Sequence, residues 1–322
     1  MQPLSYGLQV LLAIYQATGS APYLNDAILI TENIINRSRK TKRISGNISP
    51  LKDRSKGWID TVRSDTGLFH LEIPLSESYF FQYVAKLLLI IHNRPDLISD
   101  HRYFPFYRET LEFVEKNIWD KWEERGETHD RNKYTYLFRS RTHMASHWAY
   151  MGADLSFLTK DSVRRSNYLN FVNLYNQMLE KNFKRYNNYI SWNSTWDYNL
   201  NGSSNNEKVE IQDVSHANLV VSYLVEAYDL GLWKDFDAIQ RIINTLKDKL
   251  WDPKDCIFRD NIDGTMFQEG KPIALSALFR LTALSSSQDM TRAFFQSIQN
   301  LLNAANILPP GINMDSYLLI SL

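Results

Sequence analysis

Residues 4–39 read LSYGLQVLLAIYQATGSAPYLNDAILITENIINRSR, and this stretch decides the fold. An apolar segment, Leu4–Ala17, is followed by a second, Pro22–Arg39. Between them stands Thr18-Gly19-Ser20-Ala21-Pro22, with a glycine suited to end one helix and a proline suited to open the next. The stretch reads as a helical hairpin.

The same pattern recurs along the chain: an apolar helix, a short break, an amphipathic helix, then a long polar loop. A second copy runs over about Glu77–His92 and Phe104–Glu123, broken at Asn93-Arg94-Pro95-Asp96. A third covers about Arg141–Leu158 and Asp161–Lys184, with Thr159-Lys160-Asp161 at the joint. The fourth, about Ser215–Leu230 and Lys234–Trp251, turns at Gly231, and a fifth, Pro272–Leu284 and Gln288–Ala305, turns at Ser285-Ser286-Ser287. The first helix of each pair carries few charges, as in Tyr79-Phe80-Phe81-Gln82-Tyr83-Val84-Ala85, and is expected to be buried on most sides. The second carries a polar stripe. This layout predicts an all-α protein, one domain over residues 1–322, built as an α/α toroid of about five to six hairpins, complete or incomplete. An open α-solenoid has the same hairpins, but the long, irregular, aromatic linkers favour closure.

Composition narrows the function. The 322 residues hold 36 Lys+Arg against 36 Asp+Glu, a balance that argues against a nucleic-acid binder working by bulk charge. No apolar run reaches the length of a membrane span. A single cysteine, Cys256, excludes an internal disulfide framework and a cysteine zinc cage. Residues Met1 to Tyr23 lack the pattern of a secretory signal and read as an amphipathic helix. The expected compartment is therefore periplasmic or extracellular if a signal has been removed, and cytoplasmic otherwise. The unusual quantity is the aromatic content, with 18 Tyr, 16 Phe and 8 Trp.

In a ring of hairpins, the loop before each inner helix and that helix's first turn face one rim of the cavity. Before the third inner helix stand Tyr134, Tyr136, Arg139, Arg141 and His143, with His147 one turn later. The fourth is preceded by Tyr189, Trp192, Asn193, Trp196, Asp197 and Tyr198, then by Glu210-Ile211-Gln212-Asp213-Val214-Ser215-His216. Trp58, Arg63, Asp65 and His70 precede the second, and Tyr79 opens it. Asp213 or Ser215 can be a helix cap with His216 a first-turn residue. Alternatively His216 is aimed into the cavity with its tautomer set by an acidic neighbour. His143 and His147, four apart, share a helix face, a spacing open to a metal, a buried structural role or a substrate contact. The loop tryptophans and tyrosines either plug the ring or offer the flat apolar faces that bind sugars.

Three stretches, Met151-Gly152-Ala153-Asp154 with Tyr168-Leu169, Ile190 to Tyr198, and Glu210 to His216, make the chain resemble the α/α-toroid lyases acting on uronic-acid polymers, the glucuronan and alginate lyases among them. The resemblance covers about Arg139 to Tyr228. It implies a polysaccharide lyase working by β-elimination, with no cofactor and no metal, on an acidic oligo- or polysaccharide. It makes His216 the catalytic-centre residue, with Glu210 or Asp213 orienting it. Tyr198 or Tyr136 would supply the base or acid, as would Tyr134 or Tyr189. The family tends to present a tyrosine after the histidine helix, and here none occurs between Tyr228 and Tyr317. Arg139 and Arg141 would grip carboxylates, and His143, His147, Trp192, Asn193, Trp196 and Tyr79 would line the substrate. The alternatives are a glycoside hydrolase on the same scaffold, using two of Asp213, Asp197, Glu210 and Asp65, and a non-catalytic glycan-binding protein.

Overall fold

The computed structural model describes residues 2–40, 55–64, 67–196, 210–252 and 257–265. They are mostly helical, and every strand belongs to a two-stranded antiparallel ribbon. The all-α expectation holds. The expected fifth hairpin lies outside the described residues, as do Asp65, Cys256, Asp197, Tyr198 and the stretch Asn199–Glu207. The chain divides into two compact units, Met1–Arg139 with His147–Phe171, and Ser140–Ser146 with Val172–Leu322.

Unit 1 opens with the hairpin α1 (Gln2–Thr18) and α2 (Ala21–Asn36). Gly19 ends α1 at φ +67°, a conformation free of penalty only without a Cβ, and Pro22 sits in the first turn of α2. Next come the ribbons β1 (Arg39–Lys40) with β2 (Lys56–Gly57), and β3 (Asp60–Ser64) with β4 (Gly67–Leu71). Arg63 and His70 lie on β3 and β4. Helix α3 (Pro74–His92) buries 14 of its 19 residues, against 4 of 16 in α2, which is the expected alternation of buried and amphipathic helices. Helix α1 departs from it. It packs on α2 and α3, but Leu4, Tyr6 and Val10 stay exposed, because charge-poor sequence says what can be buried and not whether a neighbour is there to bury it.

After the short α4 (Pro95–Ile98), one long helix runs as α5 (Phe104–Val114), a widened π turn (Glu115–Asp120) and α6 (Lys121–Asp130). The π turn carries Trp119 into an aromatic core, edge-on to Trp148, Tyr168 and Phe171. Beside this core is a buried ionic group. The Lys121 ammonium lies 2.7 Å from Glu77 and 3.4 Å from Glu72, Arg125 lies 2.7 Å from Glu72, and the Trp122 indole donates to Glu77 at 2.7 Å. Gly57 covers it so closely that a Cβ there would run into the Glu72 carboxylate and come within 2.9 Å of the Lys121 nitrogen. The short α7 (Thr135–Phe138) completes this part of unit 1.

Helices α8 (Thr142–Leu158) and α9 (Ser162–Asn182) each contribute residues to both units. Unit 2 continues with the ribbon β5 (Phe183–Arg185) and β6 (Ile190–Trp192), then α10 (Val214–Asp229) and α11 (Phe236–Thr245). A second π turn (Leu246–Leu250) extends α11, and β7 (Trp251–Asp252) pairs with β8 (Ile257–Phe258). Helix α10 buries 11 of 16 residues and α11 half of its 10, so this pair repeats the buried-then-amphipathic order. Among the described residues no helix is long and apolar enough to cross a membrane.

Candidate functional site

Within unit 2, four chain segments are laced together by backbone bonds. Thr142 donates to the Ser194 carbonyl at 2.9 Å, Ser194 to Glu210 at 2.8 Å, and Gln212 to Trp192 at 3.1 Å. Ile262 donates to Gln212 at 3.1 Å and Val214 to Asp260 at 2.8 Å. Isolated bridges join Arg141 to Thr195, Asn193 to Ile211 and Asp213 to Asn261. The start of α8, the end of the β5–β6 ribbon and the start of α10 are thereby fixed side by side, and their polar side chains converge.

Asp213 is the N-cap of α10. Its Oδ1 accepts the His216 amide at 3.1 Å and the Ser215 hydroxyl, and its Oδ2 lies 2.7 Å from Nδ1 of His216. The alternatives left open by the sequence are realised together, since one carboxylate both caps the helix and holds the ring. Burial opposes the charge on Asp213, but the bonds from His216 and Ser215 outweigh it and keep the carboxyl well below its ordinary range. Nδ1 is thus engaged, while 45% of the His216 side chain stays exposed.

His143, on the first turn of α8, lies against His216 with ring centroids 4.1 Å apart. It is buried and its Nδ1 has no hydrogen-bond partner. Burial, and then the neighbouring His216, push it down to about 3, so it stays neutral at physiological pH. Arg141 donates to Ser194 at 2.9 Å and to Glu210 at 3.1 Å while 36% of its side chain stays exposed. Sequence reasoning missed Gln212 and Thr142. Gln212 is wholly buried, accepts from the Thr142 hydroxyl at 2.8 Å and donates to Asp213 at 3.2 Å, so it ties α8 to the cap. The one available signal was a glutamine placed between Ile211 and Asp213 in a stretch already rich in chemistry.

The other sequence candidates are distributed as follows. Asn193 is buried in unit 2, where its Oδ1 accepts from Lys184 at 2.7 Å. Trp192 and Trp196 are 1% and 3% exposed, packed on Phe183 and Tyr175, so their faces are occupied by protein and not presented to a sugar. In unit 1, Tyr79 and His147 are both buried and lie ring against ring at 3.9 Å. Tyr136 leans on Trp122, and burial raises its phenol. Arg139 ends α7 with a left-handed backbone, φ 55° and ψ 172°. Among the described residues no group of three or more His, Cys, Asp or Glu side chains is placed to hold a metal ion. No protein-family profile, curated protein or solved structure matches the chain.

Proposed function

We propose that the protein is a carbohydrate-active enzyme, a polysaccharide lyase that cleaves a uronic-acid polymer by β-elimination at the His216 residues of unit 2. The observation that carries this reading is the Asp213–His216 pair, with Nδ1 held at 2.7 Å and the side chain 45% exposed. Elimination removes the C5 proton of a uronate, breaks the C4–O bond, and returns a proton to the leaving oxygen. A histidine whose Nδ1–H is bound to a carboxylate can take or give that proton at Nε2. Arg141, partly exposed, supports the reading as a cation that would exchange its Glu210 partner for the uronate carboxylate, which must be neutralised for the C5 proton to leave. Neutral His143 beside His216 adds no competing positive charge.

The hydrolase alternative is less well supported. It needs a carboxyl group kept protonated as general acid. Asp213 is shifted the opposite way, and the Glu210 carboxylate is already paired with Arg141 at 3.1 Å. Incubation with polyglucuronate and alginate, followed at the ultraviolet absorbance of the unsaturated product, tests the lyase reading. It expects turnover by the native chain and none by His216→Ala. Release of reducing ends without that absorbance would establish the hydrolase instead.

A further inference from the structure

The β5–β6 ribbon turns through Asn187-Asn188, closed by the Tyr186 amide donating to the Tyr189 carbonyl at 2.9 Å. The register sets Arg185 opposite Ile190, and hence Tyr186 opposite Tyr189. Their rings lie nearly parallel, 4.4 Å between centroids and 9° between planes. The Lys249 ammonium sits 4.4 Å from the Tyr189 centroid, which leaves Tyr186, 44% exposed, as the outer end of a cation–ring–ring stack.

The turn is held unusually firmly for an exposed loop. Arg241 donates to the carbonyls of Tyr186 and Asn187, and Asn244 donates to that of Asn188 at 2.8 Å. The Asn188 amide donates to Asp248 at 2.8 Å, and Thr245 accepts from the Ile190 amide at 3.0 Å. The π turn that extends α11 carries both Asp248 and Lys249 to this loop. Three consecutive loop carbonyls are thus engaged by one helix, and the outermost tyrosine is presented in a fixed pose.

A flat ring with a polar rim suits one ligand chemistry. Large apolar side chains are exposed in the described part of unit 2 only at Tyr186 and Phe236, far less than a protein interface requires. The C–H face of a pyranose needs only one such ring, with polar groups nearby for the hydroxyls, and the exposed Asn187 follows Tyr186 in the turn. We propose that the Tyr186–Tyr189 stack is a second glycan contact, a platform that takes one sugar ring of an oligo- or polysaccharide apart from the His216 residues. It lies at the turn end of the ribbon, whereas Asn193 leaves the other end, roughly 10 Å away along three residues of strand. A chain held there would be anchored without being cut.

The test is gel retardation of the full chain by soluble polymers, polyglucuronate and alginate as uronates and arabinoxylan as a neutral chain. Retardation by at least one polymer is expected. Tyr186→Ala and Tyr186→Leu should weaken it about three- to tenfold, while Tyr186→Phe retains it. Whether the neutral chain or only the uronates retard the protein identifies the glycan class. No retardation by any polymer overturns the proposal, as does native-like retardation of Tyr186→Ala. Because binding is read without turnover, failure of the lyase reading leaves this result interpretable: a non-cleaving protein that loses retardation on Tyr186→Ala still supports the platform.

Discussion

His143 and His216 lie ring on ring in unit 2, centroids 4.1 Å apart and planes 30° from parallel, one buried and the other open to solvent. Burial, and then the neighbouring His216, oppose a charge on the His143 ring. His143 holds out until about pH 3, whereas an unfolded histidine protonates near ~6.5. Between those values the unfolded chain binds more protons, so stability is complete above about pH 6.5 and falls as the pH drops. The slope from this residue is up to about 1.4 kcal/mol per pH unit. Asp213, depressed below its ordinary value, acts in the same direction but only below about pH 4. Urea unfolding from pH 7 to 4.5 should therefore show a shallower decline in His143→Gln than in the native chain. Parallel curves would mean that His143 titrates normally.

The cap and the ring of α10 depend on different atoms of one carboxylate. Asp213→Asn keeps an acceptor for the His216 amide but removes the charge that orients and supports the imidazole. Asp213→Ala removes both, so it should be less stable than the asparagine variant by about 1 kcal/mol. Turnover of a polyuronate should fall at least about a hundredfold in both. Undiminished turnover in Asp213→Asn would remove the dyad from the mechanism.

Helices α3 and α10 were legible because Tyr79–Ala85 and His216–Tyr223 are nearly free of charge on all sides, and here neighbours are present to bury most of both helices. The joints after α1 and α10 were legible for a local reason, as Gly19 and Gly231 adopt positive φ at helix ends. The exposed face of α1 was not, since coverage depends on a neighbour distant in sequence. Nor were the buried positions of Trp192 and Trp196. A loop-like, aromatic, Ser/Asn-rich stretch looked like a rim, but ribbon pairing turns Trp192 onto Phe183. At the site, Asp213 and His216 could be paired from their spacing, because a cap and a first-turn residue must meet. His143 and Gln212 meet them only through bonds between segments about 70 residues apart, such as Thr142 to Gln212.

In unit 1, Lys121 is the shared cation of two buried carboxylates, and its side chain is inaccessible to solvent. Burial pushes the Glu77 carboxyl up, while Lys121 draws it down. Lys121→Met should cost about 3–5 kcal/mol, because it leaves buried charge uncompensated. Adding Glu77→Gln should recover part of that loss, since Glu72 keeps Arg125 at 2.7 Å. Chemical denaturation of the single and double variants measures both effects. A double variant less stable than Lys121→Met alone would contradict this account.

Arg139 carries a test of backbone strain. With φ 55° and ψ 172° it occupies backbone space that is nearly reserved for glycine, at a cost of about 1–3 kcal/mol. Burial lowers its guanidinium, so the side chain is held in an environment that does not favour its charge either. Arg139→Ala and Arg139→Gly remove the same guanidinium but differ in strain, because alanine retains a Cβ that clashes in this conformation. Glycine gives back some of its gain through the greater freedom of the unfolded chain. The glycine variant should nevertheless be more stable than the alanine variant by about 1 kcal/mol, read from urea midpoints. Equal stability of the two would show that the backbone relaxes around alanine and stores no strain.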